Sequence, residues 1–399
     1  MSELRPNIIF VLLDGSRVDR LKISAEFNEL IKDGTLLDNV TSAMPYTFGA
    51  INVILTGQYG KENGVDGYYK VAGLKNDILF LPEVLQQNGY FTSRGLLNDK
   101  ILSPRGFDIR KEFNEYEEDL NTKHPELIKE TYKKAKGKPF FTFLQFSRIH
   151  TVTVTDVLKK FEWDDKKFYN NKKNNLKTYD KVFREAGIYA KKIRDAVDEL
   201  GISDNTILIF FTDHGTGIGE RFGERNYGSF TYEETIRTFY HFIGPKIKKN
   251  GKSESLLSTV DIFPTIMELI HSKTLHAQIH GRSLIPLMQE KPFDEQPIFL
   301  HTIPHEEIDE NDKVGLRTSK FKYFRHSQDS TKEIHLFDLE NDPLENNNIA
   351  QNNPSVVKEM EEVLEELTKN VTIENMDDMD DKRLKRIQEE LRLLGYRKT

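Results

Sequence analysis

The sequence predicts an α/β fold: a mostly parallel central sheet flanked by helices, with a small antiparallel subdomain at its C-terminal end. Three observations carry this. The runs NIIFVLLD (7–14), KPFFTFLQFS (138–147) and NTILIFFTD (205–213) are continuously apolar, the pattern of strands covered on both faces. Helical patterns lie between them, and strands alternating with helices imply a parallel sheet. After HGRSLIPLM (280–288) the chain changes to short strand-like pieces separated by turn residues.

Taken in order, the first strand ends on Asp14. The stretch LPEVLQQNGY (81–90) is a helix with Pro82 in its first turn and Gly89 closing it. The second long strand follows at 138–147. From about 151 to 184 the chain is rich in Lys and Asn and shows no apolar period, so an exposed insertion, placed as a lid, is expected there. A helix resumes at YAKKIRDAVDEL (189–200), where Ile193, Val197 and Leu200 share a face and Gly201 caps the end. The strand at 205–213 ends on Asp213. QPIFLHT, VGLRTSKFKYFRH and KEIHLFDLEND then suggest an antiparallel sheet, with a turn at Asn341-Asp342-Pro343. In the tail, Leu384, Ile387, Leu391 and Leu394 recur at helical spacing before Gly395. The expected division is a catalytic domain over 1–290, a subdomain over 291–370 and a helical tail over 371–399.

Composition narrows the function. Of 399 residues, 37% are hydrophobic and 11% aromatic, enough to build a sizeable core and to exclude a disordered chain. The 57 basic residues are outnumbered by 64 acidic ones, which counts against nucleic-acid binding. With no cysteine, the chain has no disulfide, zinc–thiolate site, iron–sulfur cluster or thiol nucleophile. No apolar run reaches the ~18 residues of a membrane span. The start MSELRPNIIFVLLDG lacks the long apolar region of a signal peptide, so a cytoplasmic protein is expected.

Asp14 and the pair Asp213-His214 emerge where buried strands end, the edge at which sites gather in such sheets. Two carboxylates and an imidazole suit one divalent cation such as Mn²⁺, Zn²⁺, Ca²⁺ or Mg²⁺. The plainer alternative is that each aspartate caps a following turn or helix. Thr47 precedes Phe48-Gly49-Ala50 and an apolar helix running to Thr56-Gly57. A hydroxyl at a helix N-terminus is placed for attack beside N–H groups that bind anions. The alternative is that Thr47 is simply the helix N-cap.

In this order, Asp14, Thr47 before Leu55-Thr56-Gly57, and Thr212-Asp213-His214-Gly215 resemble the sulfatase branch of the alkaline phosphatase superfamily. YEETIRT (232–238), STVDIFPTIMEL (258–269), GRSLIPLM (281–288) and LFDLENDPLENNNIA (336–350) extend the resemblance over nearly the whole chain. It implies Asp14, Asp213 and His214 as metal ligands, with Thr47 beside the metal as nucleophile. His150, ending FLQFSRIH, matches the sulfatase histidine that contacts substrate oxygens or assists the leaving group; a structural histidine is the alternative. Asn63 falls where related hydrolases place a substrate-binding polar residue.

The departures are specific. Sulfatases carry Cys or Ser in C/S-x-P-x-R, later oxidised to formylglycine; here the stretch is Thr47-Phe48-Gly49-Ala50-Ile51. Threonine cannot give that aldehyde because its β-carbon carries a methyl group, so no formylglycine is expected. The aspartate pair after the first strand is Asp14-Gly15, the Lys-x-His after GYFT is missing, and Gly228 stands where a lysine precedes YEE. A threonine nucleophile resembles the nucleotide pyrophosphatase/phosphodiesterase and phosphoethanolamine-transferase branches. Those bind two metals; His301 and His305 could serve a second, but no Asp-x-x-x-His accompanies them, so one metal is expected. The expected function is a metal-dependent hydrolase of phosphate mono- or diesters through Thr47, on a small-molecule or glycan substrate. The alternatives are a sulfuric ester hydrolase, a phosphoryl transferase and a non-catalytic binding member of the fold.

Overall fold

The computed structural model describes residues 5–65, 74–151, 165–272, 279–289, 291–302 and 313–369. Its main sheet contains β1 (Asn7–Leu13), β2 (Thr35–Thr41), β3 (Phe91–Leu96), β4 (Ile109–Glu112), β5 (Phe140–Phe146), β6 (Thr206–Phe211), β7 (Arg237–Ile243), β8 (Gly251–Ser253) and β9 (Leu257–Ser258). The order is β4-β3-β5-β1-β6-β7-β2-β8, with β9 also beside β2. Pairing is parallel from β4 through β6 and antiparallel only on the two sides of β7. The mostly parallel sheet expected from the three apolar runs is therefore present, and all residues of β1, β5 and β6 are buried.

Alternation along β1 divides the core. Ile8, Phe10 and Leu12 face one layer, while Ile9, Val11 and Leu13 face the other. Helix α2 (Thr47–Thr56) and the helices Leu81–Gln87 and Ile262–Leu269 cover the first side. Helix α1 (Ala25–Lys32) and the helices Leu120–Ala135 and Lys172–Glu199 cover the second. Phe10 sits at the centre, its ring 5.3 Å from Phe141 and 5.5 Å from Phe211, both edge to face. Truncating such a side chain costs ~3–5 kcal/mol, because the close-packed neighbours cannot collapse into the space.

The Lys/Asn-rich stretch is a correction. Residues 172–184 are not an excursion from the fold but the first half of one continuous helix, Lys172–Glu199. Tyr179, Val182, Phe183, Ala186, Tyr189, Ala190, Ile193 and Val197 form its buried stripe. The stripe's N-terminal half consists of isolated apolar residues among lysines and asparagines, which hides the period. The earlier part of that insertion, 152–164, lies outside the described residues, as do the tail helix at 384–395 and His305.

The second sheet is antiparallel as expected: β10 (Ile298–His301), β11 (Lys313–Arg317), β12 (Phe321–His326) and β13 (His335–Asp338), in that order. Helix Pro354–Lys369 packs on it through Met360 and Leu364. No helix among the described residues is long and apolar enough to cross a membrane.

Candidate active site

Strand register sets the site. Leu12 pairs with Gln145 of β5 and with Phe211 of β6, so the carboxyl ends of β5, β1 and β6 finish side by side. Asp14 follows β1 directly, Asp213 lies just beyond β6, and His150 sits on the short helix Arg148–Thr151 after β5. Strand β2 runs the same way, and α2 starts on the same edge.

Thr47 is the first residue inside α2. The N-cap position belongs to Tyr46, extended at φ −155° and ψ 150°, with no side-chain cap. The helix-cap alternative for Thr47 therefore does not hold. Its hydroxyl instead lies 3.1 Å from His214 Nε2 and 3.4 Å from Asp14 Oδ1.

His214 Nδ1 is 2.7 Å from the Gly215 carbonyl, which can only accept, so Nδ1 carries the proton. Nε2 is then a lone-pair nitrogen, 3.6 Å from both Asp14 Oδ1 and Asp213 Oδ2. Asp14 Oδ2 accepts from Gln145 Nε2 at 2.8 Å, and Asp213 Oδ1 accepts from the His214 N–H at 2.9 Å. The remaining oxygen, Asp213 Oδ2, is buried with no hydrogen-bond partner among the described residues.

Burial first, and then the charge of Asp213, pushes the Asp14 carboxyl well above the usual carboxylate range. Among the described residues no lysine or arginine pairs with either aspartate. Two buried carboxylates, one orphaned oxygen and a lone-pair imidazole nitrogen are the donor set of a cation site. Asp14, Asp213 and His214 would hold the ion, with the Thr47 hydroxyl against it.

His150 joins this cluster: it, Asp14 and His214 bring one ligand atom each to within 4.8 Å of one another. The Tyr227 ring packs against both imidazoles, its centroid 4.4 Å from each, while the imidazoles themselves are 5.7 Å apart. Glu115 steadies the turn beneath His150, with Oε1 accepting from Ser147 Oγ at 2.6 Å and Oε2 from Ser147 N at 3.0 Å. Sequence reasoning missed Gln145, Tyr227 and Glu115. Of these, only Gln145 left a signal, as a polar residue inside an otherwise apolar strand.

Asn63 is not brought into the cluster. It is fully buried and serves its own loop, donating to Thr56 Oγ1 and Gln58 O and accepting from Val65 N. Gly15 explains one departure from the sulfatase pattern. At φ +76°, a Cβ there would lie 2.9 Å from Thr216 Oγ1 and 3.1 Å from His150 Cα, so a second carboxylate in this turn would be strained and would displace its neighbours.

Residues 6–272 match the sulfatase family model, and residues 223–372 match the C-terminal region of N-sulphoglucosamine sulphohydrolase. The chain belongs to the sulfatase family. Arylsulfatase K of Rattus norvegicus is 30% identical over 205 residues, 50% of this chain and 36% of that protein. The ulvan-active sulfatase of Formosa agariphila is 23% identical over 415 residues, covering 87% of this chain and 76% of that one. The chain spans about a third of the length of the arylsulfatase K relatives it matches.

Two solved structures superpose closely on this sulfatase-family chain. One, in complex with its substrate D-glucosamine-2-N,6-O-disulfate, has a TM-score of 0.73 at 20% identity, covering 94% of this chain and 100% of that one. The other, a 2-O GAG sulfatase, has a TM-score of 0.75 at 16% identity, covering 95% and 96%. At these identities the likeness establishes the fold. The relatives side with the sulfuric-ester alternative and not with the phosphate-ester reading expected from Thr47.

Proposed function

We propose that this chain hydrolyses sulfuric esters in a metal-dependent reaction, with Thr47 in place of formylglycine. Membership of the sulfatase family supports the sulfuric ester, and one observation carries the role of Thr47. The Thr47 hydroxyl, at the start of α2, points at the Asp14–His214 pair and not at its own helix.

Asp14, Asp213 and His214 would hold a divalent cation, which when bound would supply positive charge to the ester oxygens and make the Thr47 hydroxyl more acidic. The backbone N–H groups of the first turn of α2 face the same anion. Thr47 Oγ attacks sulfur, and its proton passes to Asp14 Oδ1, the carboxylate oxygen beside it. The bond from sulfur to the leaving oxygen breaks, and His150 donates a proton to that oxygen. Water then attacks sulfur in the threonine sulfate, giving one proton to His150, while the Thr47 Oγ–S bond breaks, Asp14 returns its proton to Thr47 Oγ, and hydrogen sulfate leaves. Without the aldehyde route of formylglycine, this second step is the slow one.

Phosphate esters are the second reading, favoured by the threonine itself, since its phosphate ester is open to attack by water at phosphorus. A panel of 4-nitrophenyl sulfate, phosphate monoester and phosphate diester, each with Mn²⁺, Ca²⁺, Mg²⁺ or Zn²⁺, separates the two. Sulfate-ester turnover that EDTA abolishes and added cation restores is the expected result. Release from phosphate esters alone, with every cation, would sink the sulfuric-ester reading.

A further inference from the structure

The C-terminal sheet touches the metal loop through a continuous series of polar contacts. His214 Nδ1 donates to Gly215 O at 2.7 Å, and Gly215 N donates to Thr235 O at 2.8 Å. Thr235 lies on the single turn Glu233–Ile236, so close to the metal loop that a Cβ on Gly215 would sit 2.2 Å from Glu234 O. That turn is gripped from the other side. Glu345, in the loop after β13, accepts from Glu233 N through Oε2 at 2.7 Å.

The grip is ionic as well. Lys322 of β12 is fully buried between Glu345 Oε1 at 2.5 Å and Glu233 Oε1 at 3.1 Å. Arg317 of β11 pairs with Glu233 at 2.9 Å. Arg221 joins the backbone carbonyl of Glu345 to the carboxylate of Glu234, both at 3.0 Å. Glu345 itself is held at φ +52°, a left-handed conformation that a non-glycine residue adopts at a cost.

We propose that Glu345 is a positioning residue for His214, through which the C-terminal sheet sets the affinity of the metal site. The inference rests on the metal reading above. Glu345 fixes the Glu233–Ile236 turn, the turn fixes Gly215, and Gly215 fixes the tautomer and direction of the His214 ring. A hydrogen bond to the distal nitrogen of a ligand histidine is what orients it toward a metal. The DP-x-E stretch of the sulfatase-like C-terminal motif thereby has a mechanical role in a site to which it contributes no atom.

The test is Mn²⁺ titration followed by electron paramagnetic resonance, on wild type, Glu345→Ala, Glu345→Gln and Glu361→Ala. Glu345→Ala should weaken Mn²⁺ binding by ~10-fold or more. Glu345→Gln should weaken it less than Glu345→Ala does, because its amide oxygen still accepts from Glu233 N although its NH2 then faces Lys322 Nζ. Glu361 pairs with Arg325 at 2.6 Å in the same subdomain and makes no hydrogen bond to the Glu233–Ile236 turn among the described residues, so Glu361→Ala should bind Mn²⁺ as wild type does. Coupling is reciprocal, which gives a readout on wild type alone should Glu345→Ala not fold. Adding Mn²⁺ should then slow amide exchange in residues 341–348 as well as 213–216. A folded Glu345→Ala that binds Mn²⁺ normally, or exchange at 341–348 unmoved while 213–216 is protected, overturns this inference alone. Wild type that binds no Mn²⁺, and in which Ca²⁺, Mg²⁺ and Zn²⁺ also leave exchange at 213–216 unmoved, overturns the metal reading and this inference with it.

Discussion

Asp213 Oδ2 is the atom whose environment is hardest to explain without a ligand. It is buried and close to a second carboxylate, that of Asp14, which burial first and then the neighbouring Asp213 drive toward protonation. Asp213→Asn removes that repulsion while removing a ligand oxygen. The metal-free variant should therefore melt at or above the metal-free wild type, since it relieves a buried like-charge contact. Its Mn²⁺ affinity and its esterase activity should both fall by ~10-fold or more. A variant that is destabilised without metal yet keeps its affinity would show that Asp213 is structural. These residues were legible in the sequence because Asp14 and Asp213-His214 punctuate apolar strands. Tyr227 was not, because it stands in a polar loop with no periodicity and only the fold brings it against His150 and His214.

At the level of elements, the long helix Lys172–Glu199 supports the site as well as the core. The Tyr179 hydroxyl donates to Gly15 O at 3.0 Å and accepts from Arg17 N at 2.7 Å, tying the turn that follows Asp14. Thr216 Oγ1 donates to the same carbonyl at 2.7 Å. Tyr179→Phe leaves the half-buried Arg17 N–H without its acceptor and should cost ~1 kcal/mol in urea unfolding. It should also lower activity, because the turn carrying Asp14 loses one of its ties. Unchanged stability would mean the turn is held by Thr216 alone. The parallel strands were readable because a short, continuous apolar run suits a strand buried on both faces. The first half of this helix was not, since its apolar residues are isolated in a stretch of mostly exposed charged and polar side chains.

Over the whole molecule, buried histidines shape the response to acid. Burial lowers His124 to about 3 and His241 to about 4 from an ordinary 6.5. The unfolded chain takes up these protons near pH 6.5 while the folded chain refuses them, so each contributes stability that is complete above pH 6.5 and is lost as pH falls. Asp261 works the other way. Burial raises it to about 6, so the folded state takes its proton first and gains stability as pH drops through that range. Comparing His124→Phe with wild type isolates one group. The cost of the substitution should shrink by ~1.4 kcal/mol per pH unit below pH 6.5 until the folded pKa is approached. A cost independent of pH would mean that His124 is protonated in the folded protein, with Tyr189 OH, 2.6 Å away, accepting from its ring.

The claim on which the functional reading turns is that Thr47 carries the sulfuryl group, and rapid-quench kinetics with 4-nitrophenyl sulfate address it directly. If Thr47 attacks sulfur and water clears the ester slowly, nitrophenol should appear in a burst equal to the enzyme present, followed by slow turnover. Peptide mass analysis of the quenched protein should then find one sulfuryl group on the peptide containing Thr47. Thr47→Ser should keep the burst, and Thr47→Ala should lose both burst and label. Turnover by Thr47→Ala at the wild-type rate, with no labelled peptide in wild type, would contradict the assignment and leave water as the attacking group.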